Sequence, residues 1–195
     1  MTFERAVIDL EKLAPHGIEM WLHSIRRYQF VASYLKNTDW VLDICCGTGY
    51  GAAIMAKDAG YVLGIDRNTE AIIFAKEKYP NCNFKAQDIL EFKFEHKFKV
   101  ITMFECLDHL GKSDGLHLLE KVSGHCNDMV ILSLPQDQKF DTNKYHLAEW
   151  TDKELKAVLE KYFKRVILFG QSWSTGQIFF PYDERRSMTI FIGSK

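Results

Sequence analysis

The sequence predicts an α/β fold: a seven-stranded, mainly parallel sheet with helices on both faces and an antiparallel last strand. Seven apolar runs of strand-like composition are separated, in most places, by segments with helical character. Such alternation is typical of parallel sheets, because a parallel pair of strands needs a crossover connection. With 195 residues, 47% of them hydrophobic, the chain is expected to form one domain over residues 1–195.

The predicted elements follow one another in a regular order. The strand-like runs are residues 40–45, 61–66, 83–86, 98–104, 128–134, 165–169 and 188–192. Asn68 is an N-cap candidate for a helix that ends at Tyr79, and Thr151 and Glu154 form a capping box for a helix that reaches residue 163. No convincing helix separates the last two strands, so we expect the final strand to enter antiparallel, as a hairpin across residues 171–186.

Charge and composition narrow the classes of function. The net charge of −1 provides no overall basic field, which argues against nucleic acid as a partner. No run is long enough to cross a bilayer, and the N-terminus lacks a signal-peptide pattern, so we expect a cytoplasmic protein without a membrane partner. The five cysteines contain no C-x-x-C pair and are expected to be reduced and mostly buried.

A glycine-rich turn follows the first strand, in the segment 43–51 with the sequence DICCGTGYG. Glycines let the backbone approach a ligand closely, and the start of the following helix offers free N–H groups. The second strand ends in Asp66, and a carboxylate at that place can bind both hydroxyls of a ribose. These features predict a Rossmann-like sheet that binds an adenosine-containing cofactor.

The spacing of the turn discriminates between cofactors. Asp43 precedes Gly47 and Gly49, whereas dinucleotide-binding turns have the pattern G-x-G-x-x-G. An acid at the start of the turn repels a pyrophosphate but tolerates a ligand that carries an ammonium and a sulfonium. The segment resembles motif I of the class I S-adenosylmethionine-dependent methyltransferases, with Cys45 in place of the first glycine. The resemblance extends over nearly the whole chain.

This resemblance implies further cofactor contacts. In that family the acid that ends strand two holds the ribose and the acid after strand three contacts the adenine amine; these map to Asp66 and Asp88. Arg27 and Tyr28 resemble an Arg-Tyr pair in the N-terminal helix of one subgroup, so residues 1–36 are predicted to form a helical cap over the cofactor site. The predicted cofactor-binding residues are Asp43, Cys45, Gly47, Thr48, Gly49, Tyr50, Asp66, Arg67, Asp88, Ile89, Phe104, Arg27 and Tyr28.

Carboxylates and histidines follow the fourth strand. Glu105, Asp108 and His109 have the i, i+3, i+4 relation and would share one face of a helix. They predict either a general base, His109, held by Asp108 and Glu105, or a site for a divalent metal such as Mg²⁺ or Mn²⁺. His146, in the long loop after the fifth strand, would complete the metal ligands Glu105, Asp108, His109 and His146.

Three subgroups of the family share parts of this pattern. An E-x-x-E-H arrangement occurs in O-methyltransferases of the ubiquinone pathway. With a later histidine before E-W-T, it also occurs in metal-dependent small-RNA 3′-terminal 2′-O-methyltransferases; here Asp108 replaces a glutamate, and residues 149–151 read EWT. The third subgroup, methyltransferases encoded with glycan-synthesis enzymes, is similar over more of the chain. It shares the Arg-Tyr pair, the segment 143–149 (NKYHLAE) and the segment 169–171 (FGQ).

We therefore expect an S-adenosylmethionine-dependent O-methyltransferase that acts on a small-molecule or glycan hydroxyl. One alternative is a metal-dependent RNA 2′-O-methyltransferase. Another is a non-catalytic S-adenosylmethionine-binding module. No pattern in the sequence indicates an oligomeric state.

Overall fold

The computed structural model describes residues 15–135, 146–172, 175–183 and 186–195. Within them the chain forms the strands β1 (Trp40–Ile44), β2 (Tyr61–Asp66), β3 (Asn83–Ala86), β4 (Phe98–Phe104), β5 (Cys126–Pro135), β6 (Arg165–Ser172), β7 (Ile178–Phe179) and β8 (Arg186–Ser194). The helices are α1 (Pro15–Ala32), α2 (Tyr50–Met55), α3 (Thr69–Lys78), α4 (Lys112–His125) and α5 (Asp152–Leu159), with one 3₁₀ turn at Leu107–His109. None of the described helices is apolar over a length that could cross a membrane.

The strands form one sheet in the order β3-β2-β1-β4-β5-β8-β6-β7. Strands β1 to β5 pair in parallel, and β8 runs antiparallel to both β5 and β6. The predicted parallel sheet with an antiparallel last strand is confirmed. The described residues form one strand more than the seven predicted. The additional strand is β7, which lies inside the segment predicted as a hairpin and pairs with Gly170 and Gln171. The strand order reverses beside β1, and α/β sheets bind ligands at such a point.

Helices cover both faces of the sheet, as predicted. Neighbouring residues of β1 point to opposite faces, so Val41 packs in one apolar cluster and Leu42 in the other. The Val41 cluster includes residues of α1, α2 and α3, whereas the Leu42 cluster includes residues of α4 and α5. Burial on both faces explains why the parallel strands read as continuous apolar runs in the sequence.

Local side-chain bonds fix the starts of two helices. The side chain of Asn68 accepts hydrogen bonds from the amides of Glu70 and Ala71 and caps α3. Thr151 and Glu154 form the predicted capping box of α5, in which each side chain accepts a bond from the other residue's amide. Helix α5 ends at Leu159, short of the predicted residue 163, because the chain tightens there into a turn in which the Tyr162 amide donates to the Leu159 carbonyl.

Helix α1 packs on α2 through an aromatic side chain. The ring of Tyr28 lies over Gly51 so closely that a Cβ at this position would stand 2.1 Å from a ring carbon. The same ring meets Tyr50 and Phe104 edge to face, with centroid distances of 5.5 and 5.0 Å. Residues 1–14 of the predicted cap lie outside the described residues.

Candidate active site

The carboxyl ends of the parallel strands surround a pocket. Its lining consists of Cys45, Ile65, Asp66, Arg67, Gln87, Asp88, Ile89, Cys106, His109 and Leu110. These residues follow or end β1, β2, β3 and β4, the strands beside the reversal of strand order. The fold therefore brings together side chains from the predicted cofactor site and His109 from the predicted catalytic group.

The glycine-rich turn has three residues in the left-handed backbone region: Cys45 at φ 59°, Gly47 at φ 55° and Gly49 at φ 80°. Only glycine adopts this region without a steric cost, so Cys45 carries backbone strain at the position where the family pattern has glycine. A side chain at Gly49 would also collide with the ring of Phe84, 2.7 Å from its Cβ. Thr48 is buried in the same turn.

Asp66 connects the turn to the next helix. One carboxylate oxygen, Oδ2, accepts a 2.9 Å hydrogen bond from the Gly47 amide, and Oδ1 accepts one of 2.9 Å from the Asn68 amide. A carboxylate oxygen can accept more than one hydrogen bond, so these bonds are compatible with binding of ribose hydroxyls. Asp88 accepts a 2.9 Å bond from the Leu90 amide and lines the same pocket.

Asp43 lies in the interior beneath the turn. It is completely buried, and its Oδ1 accepts bonds from the Thr102 hydroxyl at 2.7 Å and the Tyr28 hydroxyl at 3.4 Å. Its Oδ2 has no hydrogen-bond partner among the described residues. Burial raises the pKa of Asp43 to about 7, against the effect of the two hydroxyl donors. Burial also raises the pKa of Tyr28 well above its ordinary value, so Tyr28 remains a donor.

Arg27 occupies the junction between α1 and the end of the sheet. Its Nη1 lies 3.3 Å from Glu105 Oε1, and the same nitrogen donates to Gln171 Oε1 at 3.3 Å and contacts the sulfur of Met188. The guanidinium also stands 5.6 Å from the ring centre of Phe104. Arg27, Tyr28 and Phe104 are thus adjacent, buried members of the predicted cofactor set.

Glu105 departs from the prediction that it shares a helical face with Asp108 and His109. The chain leaves β4 in a left-handed turn, with Glu105 at φ 50°, and the 3₁₀ turn begins only at Leu107. The Ser133 hydroxyl donates to Glu105 Oε1 at 2.9 Å, and the Glu105 amide donates back to that hydroxyl at 3.2 Å. Burial raises the pKa of Glu105, while the Arg27 guanidinium opposes the rise.

Asp108 lies between two histidines. Its Oδ2 is 3.3 Å from Nε2 of His146 and 3.8 Å from Nε2 of His109, and the two imidazole rings are 5.2 Å apart. The Asp108 side chain is buried, and within the part of the chain that the structure describes neither carboxylate oxygen has a hydrogen bond of good geometry. The Leu147 amide donates to the Asp108 carbonyl at 2.7 Å, which docks the loop that carries His146.

These three residues have the chemistry of a metal site. Ligand atoms of Asp108, His109 and His146 lie within 4.8 Å of one another. Two imidazoles and one carboxylate suit Mn²⁺ or a later transition metal better than Mg²⁺, which prefers oxygen ligands. The fourth predicted ligand, Glu105, lies outside this cluster because Arg27 and Ser133 hold its carboxylate.

Several residues of the site were not predicted. Thr102, Ser133 and Gln171 are buried polar residues within strands, and each binds a charged predicted residue. A polar side chain inside an apolar strand run was the available signal. Cys106, which lines the pocket, has no comparable local pattern.

Comparisons with known proteins show which proteins this chain is similar to. Residues 41–129 match the family model described as a methyltransferase domain. The ribosomal protein L11 methyltransferase of Thermotoga neapolitana is 35% identical over 117 residues, which are 57% of this chain and 43% of that protein. A Streptomyces fradiae enzyme, dTDP-3-amino-3,6-dideoxy-alpha-D-glucopyranose N,N-dimethyltransferase, is 28% identical over 87 residues, 44% of this chain and 34% of that protein. The chain spans less than half the length of these relatives.

A solved structure extends the likeness in fold. Magnesium protoporphyrin IX methyltransferase from Synechocystis PCC 6803, with S-adenosylmethionine bound, superimposes with a TM-score of 0.72 at 13% identity, over 94% of this chain and 85% of that one. Residues 41–129 are thus similar to a methyltransferase domain, and the sheet has the fold of an S-adenosylmethionine-dependent methyltransferase.

Proposed function

We propose that this protein binds S-adenosylmethionine at the glycine-rich turn and transfers its methyl group to a hydroxyl of a small molecule or glycan. The observation that carries the proposal is the Asp108–His109 pair at the edge of the pocket that Asp66 and Asp88 line. A carboxylate beside an imidazole provides a base for a hydroxyl proton.

Three acids would each bind one part of the cofactor. Asp66 would bind the ribose hydroxyls, and Asp88 the adenine amine, because both carboxylates line the pocket. Asp43 would bind the ammonium of the methionine moiety through Oδ2, the oxygen that no described residue hydrogen-bonds. Arg27 and Tyr28 would close this end of the site from helix α1, and Glu105 would hold Arg27 in place.

The proposed reaction is an in-line displacement. The acceptor oxygen attacks the methyl carbon, the bond from that carbon to the sulfonium sulfur breaks, and S-adenosylhomocysteine leaves. His109 accepts the hydroxyl proton, and Asp108 stabilises the positive imidazole that results. Discharge of the sulfonium makes the transfer thermodynamically favourable. Positioning of the two reactants would supply most of the acceleration.

A sugar scaffold is the acceptor that we favour. The Streptomyces fradiae relative is named for an amino sugar, although the methyl group there goes to nitrogen. A hydroxyl is a much weaker acid than an ammonium, so transfer to oxygen depends more on a positioned base. The buried Asp108 between two imidazoles supports a hydroxyl acceptor for this reason.

The same cluster supports a second candidate, a metal-dependent RNA 2′-O-methyltransferase. Asp108, His109 and His146 would hold the divalent metal, which would act as a Lewis acid that makes a bound hydroxyl easier to deprotonate. The net charge of −1 argues against this acceptor, because RNA binding draws on basic surface.

The test is transfer of labelled methyl from S-adenosylmethionine into a cell extract, which is then separated into RNA, protein and small-molecule or glycan fractions, with and without a chelator. We expect chelator-resistant label in the small-molecule or glycan fraction. Chelator-sensitive label in RNA would replace this proposal by the second candidate. Binding of the cofactor without label in any fraction would favour a non-catalytic binding module.

Two variants connect the result to the site. His109→Gln should retain affinity for S-adenosylhomocysteine by calorimetry and lose methyl transfer by about 10²- to 10⁴-fold, the usual contribution of a general base. His117→Gln is the matched control, because His117 is exposed on α4. Equal loss of transfer in both variants would contradict the role of His109.

A further inference from the structure

Two cysteines meet in the wall of the pocket. Sγ of Cys45, in the turn after β1, lies 2.7 Å from Sγ of Cys106, which follows β4. Strands β1 and β4 are neighbours in the sheet, so the chain segments after their ends come side by side. These residues are 61 positions apart in the sequence, and the fold alone brings them together.

Two other thiols of the described residues lie in different surroundings. Cys46, next to Cys45, packs on the opposite face of the sheet, in the cluster of Val41, and its sulfur lies 3.8 Å from the Gly47 carbonyl oxygen. Cys126 begins β5, and its sulfur lies 3.9 Å from the carbonyl oxygen of Lys99. Neither of these thiols lines the pocket.

The two thiols of the pair differ in access. Both residues line the pocket, but Cys45 is half-buried, whereas Cys106 is completely buried. A small oxidant that enters the pocket therefore reaches Cys45 first. Two thiols with one accessible sulfur and a second sulfur in contact have the arrangement of an attacking and a resolving cysteine.

We propose that Cys45 and Cys106 form an oxidative modification site: a hydroperoxide converts them to a disulfide, and cofactor in the pocket prevents the conversion. Cys45 sulfur attacks hydrogen peroxide, which gives a sulfenic acid and releases water. Cys106 sulfur then attacks the sulfenic sulfur, forms the S–S bond and releases a second water. The two thiols lose two electrons in total, and peroxide gains them. A thiol such as glutathione restores the pair by exchange.

The geometry makes the second step easy. Closure to a disulfide brings the sulfur atoms from 2.7 Å to about 2.05 Å, a shift that side-chain rotation can provide. Cys45 already lies in a strained left-handed conformation, within the turn whose Gly47 amide is bound to Asp66. The disulfide would tie this turn to the loop that carries the catalytic group.

Protection by the cofactor rests on the proposed function. The ribose and adenine contacts assigned to Asp66 and Asp88 place the ligand in the pocket that Cys45 lines. A bound ligand covers the sulfur and blocks the path of the oxidant. The protein without cofactor would then be the form that becomes oxidised, which makes the pair a sensor of cofactor occupancy.

The test treats the reduced protein with hydrogen peroxide, with and without saturating S-adenosylhomocysteine. Without ligand, we expect the intact mass to fall by two hydrogens and a peptide map to show a Cys45–Cys106 link. With ligand, the link should form at least tenfold more slowly. Cys45→Ser and Cys106→Ala should each abolish the link, whereas Cys126→Ser should form it at the wild-type rate.

Other results would overturn the proposal. A link that involves a different cysteine, or conversion to sulfinic acid without a link, would contradict the proposed Cys45–Cys106 disulfide. If the link formed at the same rate with S-adenosylhomocysteine bound, the proposed protection by the cofactor would be wrong. Calorimetry separates the two hypotheses: if S-adenosylhomocysteine does not bind, the proposed function and the protection both fail, while the peptide map still decides the disulfide.

Discussion

Arg27 of helix α1 is ion-paired with Glu105 after β4, at a distance of 3.3 Å between Nη1 and Oε1. The same Nη1 donates to Gln171 in β6. Gln171 in turn donates through Nε2 to the carbonyl oxygens of His23 and Gly176. One buried guanidinium thus joins the N-terminal helix, the loop of the candidate catalytic group and the last part of the sheet.

Loss of this ion pair should destabilise the protein. Arg27→Met keeps apolar volume but leaves the Glu105 carboxylate without its cation, and Glu105 is 33% exposed, so water offsets part of the cost. We expect a loss of about 1–3 kcal/mol in the free energy of unfolding, measured with urea. Arg27→Lys keeps the charge and should lose less. Equal stability of Arg27→Met and the wild type would show that the pair contributes nothing.

The affinity for cofactor should depend on pH through Asp43. The pKa of Asp43 is about 7 in the protein without ligand, so much of it is protonated below that pH. An ammonium pairs with the carboxylate form, so binding must release the proton when pH is below 7. We expect calorimetry to show weaker binding of S-adenosylhomocysteine at pH 6 than at pH 8, with proton release at pH 6. Asp43→Asn should remove this proton release.

The same carboxyl group should also affect folding. Its pKa is raised from 3.8 in the unfolded chain to about 7 in the folded protein, so its stabilising contribution is complete below pH 3.8 and is lost as pH rises through 7. The slope is at most about 1.4 kcal/mol per pH unit. The free energy of unfolding of Asp43→Asn, relative to that of wild type, should therefore be higher at pH 8 than at pH 5. Urea unfolding at both pH values measures this difference. The opposite trend would mean that the folded pKa lies below 3.8.

The sequence predicted those features that local chemistry determines. Asn68 caps α3 and Thr151 caps α5 because a cap needs only the few amides that follow it in the chain. The carboxylates at strand ends came together because parallel strands end at one edge of the sheet. Glu105 was misplaced because its direction depends on a left-handed backbone angle and on Arg27, 78 positions away. The Cys45–Cys106 contact depends in the same way on which strands are neighbours.

Asp66 has both a structural and a binding role, which two variants should separate. Asp66→Ala removes the bonds to the Gly47 and Asn68 amides and the proposed bonds to the ribose. We expect about a 100-fold or greater loss of affinity for S-adenosylhomocysteine and a loss of about 1–3 kcal/mol in stability. Asp66→Asn keeps one acceptor oxygen, so it should lose less affinity and less stability than Asp66→Ala. Full affinity in Asp66→Ala would place the ribose elsewhere.

The contact of Tyr28 with Gly51 predicts how the N-terminal helix responds to a single added methyl group. Gly51→Ala places a Cβ 2.1 Å from the Tyr28 ring, so the ring must move, and its hydroxyl bond to Asp43 must change with it. We expect a loss of about 1–3 kcal/mol in the free energy of unfolding, the usual cost of overpacking. Affinity for S-adenosylhomocysteine should fall as well, because Tyr28 and Asp43 lie at the proposed methionine end.

Gly124→Ala is the matched control for that substitution. Gly124 lies in helix α4, where an added Cβ would have no heavy atom of the described residues within 4 Å, so the methyl group meets open space among them. Alanine favours helix over glycine by up to about 1 kcal/mol, and the effect is smaller near a helix end. Gly124→Ala should therefore unfold at equal or higher urea concentration than wild type and bind S-adenosylhomocysteine normally. If Gly51→Ala behaved like this control, helix α1 would have to pack in another way, and its assignment as the cap of the cofactor site would fail.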